Sequence, residues 1–511
     1  MNPFFLRKFK MHIKKITVIL SQLLCISSFS QAVNSCEDKT FWQTWYKDGQ
    51  FKGFGINPTK GEVAKAQYLF AENHYKGNFL TKDYTRALAL FTKASEAGLS
   101  QADFRLGLMN HYGQGKVKDL KAAYKYYENA ASANNPEAQF NLGLMNRYGI
   151  GIQKDLSKAF SWFTKSANSQ TILDRNSCIK TVGGVVEAQF NLAQMNHYGQ
   201  GKVKDLQAAY KYYENAASAN NPEAQFNLGL MNRYGIGIQK DLSKAFSWFT
   251  KSANSQTILD RNSCIKTVEG VVEAQFNLAQ MNHYGLGTEK NMFEAFRWYE
   301  KAASHNMKEA QFNLAKLLFK GEGTNYDLDR SIENYLLAAK QGLAEAQLNI
   351  AQIYHYGPSY IQNHRKAHKW YLKAANQEVK EAYFNLGLMA QYGRGVNQNY
   401  VVAERYYLQS ISPKIPETFL NLGFLYHYGL GTPVDNKKAF EYFDKAATQG
   451  LSQAEYHLGI HYRDGRGVRK NSDIANYWFR KAKANGLIET DHLNESFAFR
   501  EPDDVHLYVQ N

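Results

Sequence analysis

Apolar positions along this chain follow a helical spacing that restarts every 36 residues, apart from two steps of 50. One copy of the unit reads AQFNLGLMNRYGIG, residues 138–151. In it Ala138, Leu142 and Met145 form one apolar face, and Phe140, Leu144 and Tyr148 form another. A helix apolar on two sides needs two packing partners, as an inner helix of a stack has. Gly143 stands where a side chain would hold a neighbouring helix away. Gly149 and Gly151 then supply the positive φ of a turn.

The unit starts at Lys65, Gln101, Glu137, Glu187, Glu223, Glu273, Glu309, Glu345, Glu381, Glu417 and Gln453. Four residues after the second turn position every block places Asp or Asn: Asp83, Asp119, Asp155, Asp205, Asp241, Asn291, Asp327, Asn363, Asn399, Asp435 and Asn471. Such residues cap a helix by accepting from its free N–H groups, worth about 1 kcal/mol each. The second helix that follows carries aromatic pairs such as Trp162-Phe163 and Tyr212-Tyr213. A period of this length marks stacked supersecondary units, and each unit buries its apolar faces on its neighbours. The expected fold is all-α, an α/α superhelical solenoid of about eleven helix-turn-helix repeats.

The pattern A-x-x-x-L-G-x-x-x-x-x-G-x-G, the Asp/Asn cap and a closing K-A-A resemble the Sel-one-like repeat, a relative of the tetratricopeptide repeat. In block ten they stand as Leu422-Gly423, Tyr426, Gly429, Gly431, Asp435, Lys438-Ala439 and Lys445-Ala446-Ala447. The resemblance covers about residues 65–487. It implies an adaptor that holds protein partners on a superhelical surface. For exported members it implies an envelope adaptor or a pathogen factor affecting host-cell entry and trafficking.

Departures from the pattern carry information. Where Tyr426 stands in block ten, blocks two to six have Asn110, Asn146, Asn196, Asn232 and Asn282, which predicts a more polar inner face there. Pro358-Ser359 alters the turn of block eight. Pro413 and Pro416 predict an early stop and a bend after the second helix of block nine. Residues 109–186 and 195–272 differ only at Lys121/Gln207 and Gly183/Glu269, so a two-block module has been copied together with a 14-residue insertion. The two insertions are expected as loops on one edge, either tolerated or forming a paired contact site.

The N-terminus is unlike the rest. Arg7, Lys8, Lys10, Lys14 and Lys15 precede a mostly apolar run from Ile16 to Phe29, with small residues at Ser28, Ser30 and Ala32. That layout predicts a secretory signal peptide over residues 1–32. The remaining organisation reads as an N-terminal capping segment at 33–64 and the solenoid at 65–487, with insert loops at 169–186 and 255–272. A C-terminal tail covers 488–511. No stable membrane span is expected after signal removal, and the product should be periplasmic or secreted. The net charge of +15 falls to +10 without the signal, because residues 1–32 hold five basic and no acidic side chains. The lysines recur singly on helix surfaces, as solubility alone requires. No nucleic-acid motif is present.

Candidate chemistry is sparse. After the signal, Cys36, Cys178 and Cys264 remain. A Cys178–Cys264 bridge would cross two repeats, roughly 20 Å at about 10 Å per helix layer. A disulfide needs Cα atoms within about 7 Å, so only bending loops could close it. Pairing of Cys36 with a loop and a free thiol both stay open. Cysteine-rich members of the resembled family imply penicillin binding or β-lactamase activity, but their cysteine pair per repeat is absent here. Ser177 to Lys180 and Ser263 to Lys266 spell S-x-x-K without an S-D-N or K-T-G partner. His364/His368 and His457/His461 have the i, i+4 spacing of metal ligands but no third ligand nearby in sequence. The G-x-G turns follow helices rather than strands and lack a P-loop ending, so they are repeat turns. The reading contains no catalytic residue, no metal site and no cofactor.

Binding is expected on the inner face, built largely by first helices. A ladder of Asn141, Asn191, Asn227, Asn277, Asn313, Asn349, Asn385 and Asn421 either grips a peptide backbone or bridges adjacent helices. The row His111, Arg147, His197, Arg233, His283, His355, His427 and Arg463 is polar and basic, and is the better candidate for partner contact. The function that follows is a non-catalytic exported scaffold for protein partners at the bacterial envelope, with a role in host interaction or virulence as one form. A repeat-family hydrolase acting on β-lactam or cell-wall substrates, or a modulator of a peptidoglycan enzyme, is the alternative.

Overall fold

The computed structural model describes residues 46–47, 50–51, 59–77, 80–169, 183–255 and 271–487. The signal segment, the C-terminal tail, Cys36, Cys178, Cys264 and both S-x-x-K sequences lie outside the described residues, as does nearly all of each insert loop. Tyr46–Lys47 and Gln50–Phe51 pair antiparallel. Beyond that pair, the described residues form helices joined by short turns.

The chain divides into two compact units, Met1–Ala274 and Gln275–Asn511. In the first unit the helix pairs are Lys60–Lys76 with Tyr84–Glu96, Ser100–Tyr112 with Leu120–Ser132, Pro136–Tyr148 with Leu156–Asn168, Gly183–Tyr198 with Leu206–Ser218, and Pro222–Tyr234 with Leu242–Asn254. In the second unit Val272–Tyr284, whose first turn lies at the boundary, leads into Met292–Ser304. Four further pairs follow through Lys308–Lys320, Ala344–Tyr356, Lys380–Tyr392 and Pro416–Tyr428, and the final pair is Ser452–Asp464 with Ser472–Ala484. The fold is an all-α helical repeat solenoid.

Two expected boundaries move. The first helix begins at Lys60, inside the segment read as a cap, because Thr59 and Glu62 form a reciprocal capping box there. The first helix of block four begins at Gly183, within the expected loop 169–186. The expected early stop is present, since the helix Tyr400–Ser410 ends after 11 residues. Its junction with the next helix is packed: Ser410 and Thr418 are buried with their hydroxyls 2.9 Å apart, and Ile415 is buried beside them.

Packing follows the double apolar face. Ala138, Leu142 and Met145 sit with Ala123, Tyr127, Ala130 and Ala131 of the preceding second helix. Phe140 and Leu144 pack against Ala159 and Phe163 of their own block. A Cβ added to Gly143 would lie 2.5 Å from the Phe163 ring, so this position holds Gly because an aromatic side chain fills the space. The same relation pairs Gly107 with Tyr127 and Gly387 with Tyr407. Burying one aromatic ring per repeat removes enough apolar surface to stabilise the unit by about 2–3 kcal/mol.

Candidate functional site

Eight of the eleven first helices end in a tyrosine followed by a glycine; the others end in Lys76, Lys320 and Asp464, each also followed by a glycine. Gly113 takes φ 71° and its N–H donates to Met109 O, which closes the helix in a left-handed cap. Two residues on, a Cβ at Gly115 would meet Tyr84 O at 2.6 Å, so the turn lies directly on the preceding block's second helix. The turn then delivers the capping residue. Asp119 Oδ1 accepts from Ala122 N at 2.9 Å, and Asp155, Asp205 and Asp241 accept likewise from Lys158, Ala208 and Lys244 at 2.9 Å. Asp83, Asn291, Asp327, Asn363, Asn399, Asp435 and Asn471 make the same bond at their own helix starts. All eleven are structural, and their acceptor oxygens are directed at their own backbone.

The asparagines expected to make blocks two to six polar on the inner face do not reach it. Asn110, Asn146, Asn196, Asn232 and Asn282 are buried, and each amide donates to the carbonyl four residues earlier at 2.7–2.8 Å. Their own carbonyls accept the N–H of the cap residue, as in Asp119 N to Asn110 O at 2.9 Å. They seat the turn. The amide N–H is satisfied on the helix backbone, so the position closes inward even though Oδ1 of Asn110 and of Asn196 is buried without a hydrogen-bond partner.

The Asn ladder is largely engaged in the same way. Asn141, Asn227 and Asn313 donate to the carbonyls of Glu137, Glu223 and Glu309. Three members also join adjacent blocks. Arg147 donates to Asn191 Oδ1, and Tyr356 Oη to Asn385 Oδ1 at 3.0 Å. Asn349 donates to Tyr335 Oη at 3.3 Å.

The His/Arg row differs from its expected basic character. Burial lowers the pKa of His111, His197 and His283, with nearby lysines adding to the effect in each. His355 is fully buried and pushed down to about 3, and His427 to about 4, in both cases chiefly by desolvation. These imidazoles are neutral at pH 7, so they carry no positive charge toward a ligand. Arg147 is buried and spends its donors on Asn191, Gln194 and Gln200. Arg233 lies 5.4 Å over the Tyr234 ring, and Arg463 forks onto Asp464 at 2.7 and 3.1 Å.

What the row supports is the tyrosine beside it. His111 stacks on Tyr112 at 4.8 Å and His197 on Tyr198 at 4.8 Å, while Arg147 covers one face of Tyr148 at 5.4 Å. Tyr112, Tyr148, Tyr198 and Tyr234 are 61, 61, 63 and 61% exposed, although Tyr148 was expected on a packed face. The packed positions of that face are Phe140 and Leu144; one turn further on, the helix end overhangs its neighbour and the phenol meets solvent. The sequence signal was the tyrosine's regular place before the first turn glycine, hidden by its fit to the apolar spacing.

The i, i+4 histidine pairs are packing groups. His457 stacks on Phe443 at 5.2 Å, while His461 places Nδ1 2.7 Å from Arg466 O and Nε2 3.0 Å from His427 Nδ1. His364 stands edge-on to His355 at 5.3 Å. Among the described residues no group of three His, Cys, Asp or Glu is arranged to hold a metal ion, and no helix is long and apolar enough to cross a membrane.

The Sel1 repeat family model matches residues 64–99, 100–135, 136–170, 186–221, 222–256, 272–307, 308–343, 344–379, 380–412, 420–451 and 452–487. Among solved structures, the chain is similar to c5321, described as a protective antigen present in uropathogenic Escherichia coli strains and displaying an SLR fold. The identity is 28%, the TM-score 0.69, and the match covers 85% of this chain and 89% of that one. A Sel1 repeat protein from Oxalobacter formigenes matches at 25% identity and TM-score 0.40, over 50% of this chain and 96% of that chain. No curated protein sequence matches. Eleven matched segments, each holding the glycine-closed first helix and the Asp/Asn-capped second helix described above, place the chain in the Sel1 repeat family, whose repeats generally serve protein–protein contact.

Proposed function

We propose that this protein is an exported scaffold without catalysis of its own, which holds protein partners at the bacterial envelope or outside the cell. The observation that carries this reading is the periodic row of exposed tyrosines in the first unit. A tyrosine offers a large, rigid contact area with a polar tip at low entropic cost, and aromatic residues are enriched in the cores of protein interfaces. The basic and apolar start of the chain supports export. The likeness to a protective antigen of uropathogenic strains supports exposure to a host.

A photo-crosslinking residue placed at Tyr148 tests the binding face, with the same residue at Lys165 on the second helix as control. In the native envelope, the Tyr148 position is expected to capture a defined protein that the Lys165 position does not. Equal capture from both would remove the support for this face. Fractionation of the same cells, with N-terminal sequencing of the mature chain, tests export: the expected start lies near Gln31 or Val33, and an intact Met1 in the cytoplasm would refute it.

A further inference from the structure

Each exposed tyrosine of the first unit has a cationic companion. Six residues after it stands an exposed lysine: Lys118, Lys154, Lys204 and Lys240. The turn sets the two side by side. A Cβ built on the glycine that follows the tyrosine would lie 3.3 Å from Lys118 Cβ in block two, and 3.4, 3.3 and 3.4 Å from the corresponding lysine in the next three blocks. In blocks two and four the lysine borders an open concavity. The first, of about 630 Å³, is lined by Lys116, Lys118, Asp119, Lys121 and Gly151 with the exposed Val117; the second, of about 610 Å³, is its copy around Lys202, Lys204, Asp205, Gln207 and Gly237 with Val203. The valines are 88 and 86% exposed.

Nothing in this row neutralises the lysines fully. The cap carboxylates are the nearest acidic groups by sequence, and each has an oxygen engaged by its own helix N-terminus. The surface therefore repeats an ammonium, a phenol ring and, at two places, an apolar hollow. First helices one repeat apart stand about 10 Å from each other, and a peptide in the extended polyproline II form rises about 3.1 Å per residue with about three residues per turn. Carboxylates at every third residue therefore stay on one face about 9 Å apart and meet successive lysines, and the side chains between are free to fall on the rings.

We infer that the tyrosine–lysine row of the first unit docks an extended acidic segment of a partner protein, with carboxylates on the turn lysines and apolar side chains against the tyrosines. This rests on the reading of the chain as a protein-binding scaffold and adds the chemistry of what it binds.

The probe is a fluorescein-labelled peptide with glutamate at every third position and valine and alanine between, titrated into the full chain and followed by anisotropy. Its lysine counterpart and an oligothymidylate of matching length are run beside it. The acidic peptide is expected to bind in a salt-sensitive way, and neither of the others to match it. Lys154→Glu with Lys204→Glu should weaken binding by at least about tenfold, and Tyr148→Ser with Tyr198→Ser by a similar factor. Lys165→Glu with Lys251→Glu makes the same change in net charge on exposed lysines that lie over Trp162 and Trp248, and should leave binding unchanged. Circular dichroism of all variants separates loss of binding from loss of fold. Absence of binding, equal weakening by the control pair, or tighter binding of the oligothymidylate would each overturn the inference. If crosslinking at Tyr148 captures a partner that the acidic peptide does not displace, the inference fails while the scaffold reading stands. If nothing is captured, the scaffold reading itself loses its support.

Discussion

The tyrosine that closes the first helix has opposite surroundings in blocks two to six and in blocks eight to ten. In blocks two to six Tyr112, Tyr148, Tyr198, Tyr234 and Tyr284 face solvent, each six residues before an exposed lysine. In blocks eight to ten Tyr356, Tyr392 and Tyr428 are half-buried. Tyr356 donates to Asn385 of the next block, and Tyr428 stacks on Phe424 at 6.3 Å. The preceding residue does not decide it alone. Arg147 takes the next block's Asn191 and leaves Tyr148 outside, yet His111 and His197 also precede exposed tyrosines, while His355 sinks into the stack and the next asparagine goes to Tyr356. The residue six positions on separates the two groups. Gln362 and Gln398 turn back to the carbonyls of His355 and Gln391 at 2.9 and 2.8 Å, where blocks two to six have lysines that stay in water. One repeat frame thus carries an open edge in blocks two to six and a closed edge in blocks eight to ten, set by a few side chains.

If the frame is shared, its aromatic keystones should matter equally in both units. Phe163→Ala and Tyr407→Ala are each expected to cost about 3–5 kcal/mol by urea unfolding. A loss confined to one of them would show that the blocks differ in their cores as well as at their edges.

Acid should separate the units. The second unit holds His355, His427 and His457, with folded pKa values pushed down to about 3, 4 and 3 by burial and neighbouring cations. Near His457 stand His427, His461 and Arg466, each of which disfavours its protonation, and His461 is itself lowered. The unfolded chain binds protons from about pH 6.5 while these folded sites do not, so stability is lost as pH falls from about 6.5 toward 4, by up to about 1.4 kcal/mol per pH unit for each histidine. Hydrogen exchange at pH 7 and pH 5 should show protection falling most within residues 416–487, and His457→Phe should remove part of that fall. Equal loss across residues 100–250 would contradict the assignment.

Arg147→His tests what opens the edge. It removes the bonds to Asn191, Gln194 and Gln200 and is expected to cost about 1–3 kcal/mol. Acetylation of Tyr148 by N-acetylimidazole should stay unchanged, because Tyr112 and Tyr198 are equally exposed behind His111 and His197. Slower reaction of Tyr148 would mean that the arginine holds the ring out.

The smallest effect is expected at the caps. Asp155→Ala and Asn399→Ala should each cost about 1 kcal/mol in thermal unfolding, alike in both units because the bond to the helix N-terminus is the same. A cap whose loss also changed binding of the acidic peptide would place its carboxylate in the docking surface.

The sequence by itself determined the frame. Period, turn glycines and Asp/Asn caps are local requirements of φ and of free N–H groups, so they are written in single residues and were legible as far as Asp83 at one end and Asn471 at the other. The helix starts at Lys60 and Gly183 were less legible, because residues 33–64 and 169–186 fall outside the repeating unit that supplied the pattern. Asn110 and its equivalents were misread because an amide looks the same in sequence whether it faces water or its own helix. Only the tertiary structure decided that, just as it decided that the row histidines are neutral, that Arg147 is spent inside, and that Tyr148 is open while Tyr356 is closed. Those outcomes depend on which neighbour reaches a shared acceptor first and on how much water is left around it, and neither is a property of the residue alone.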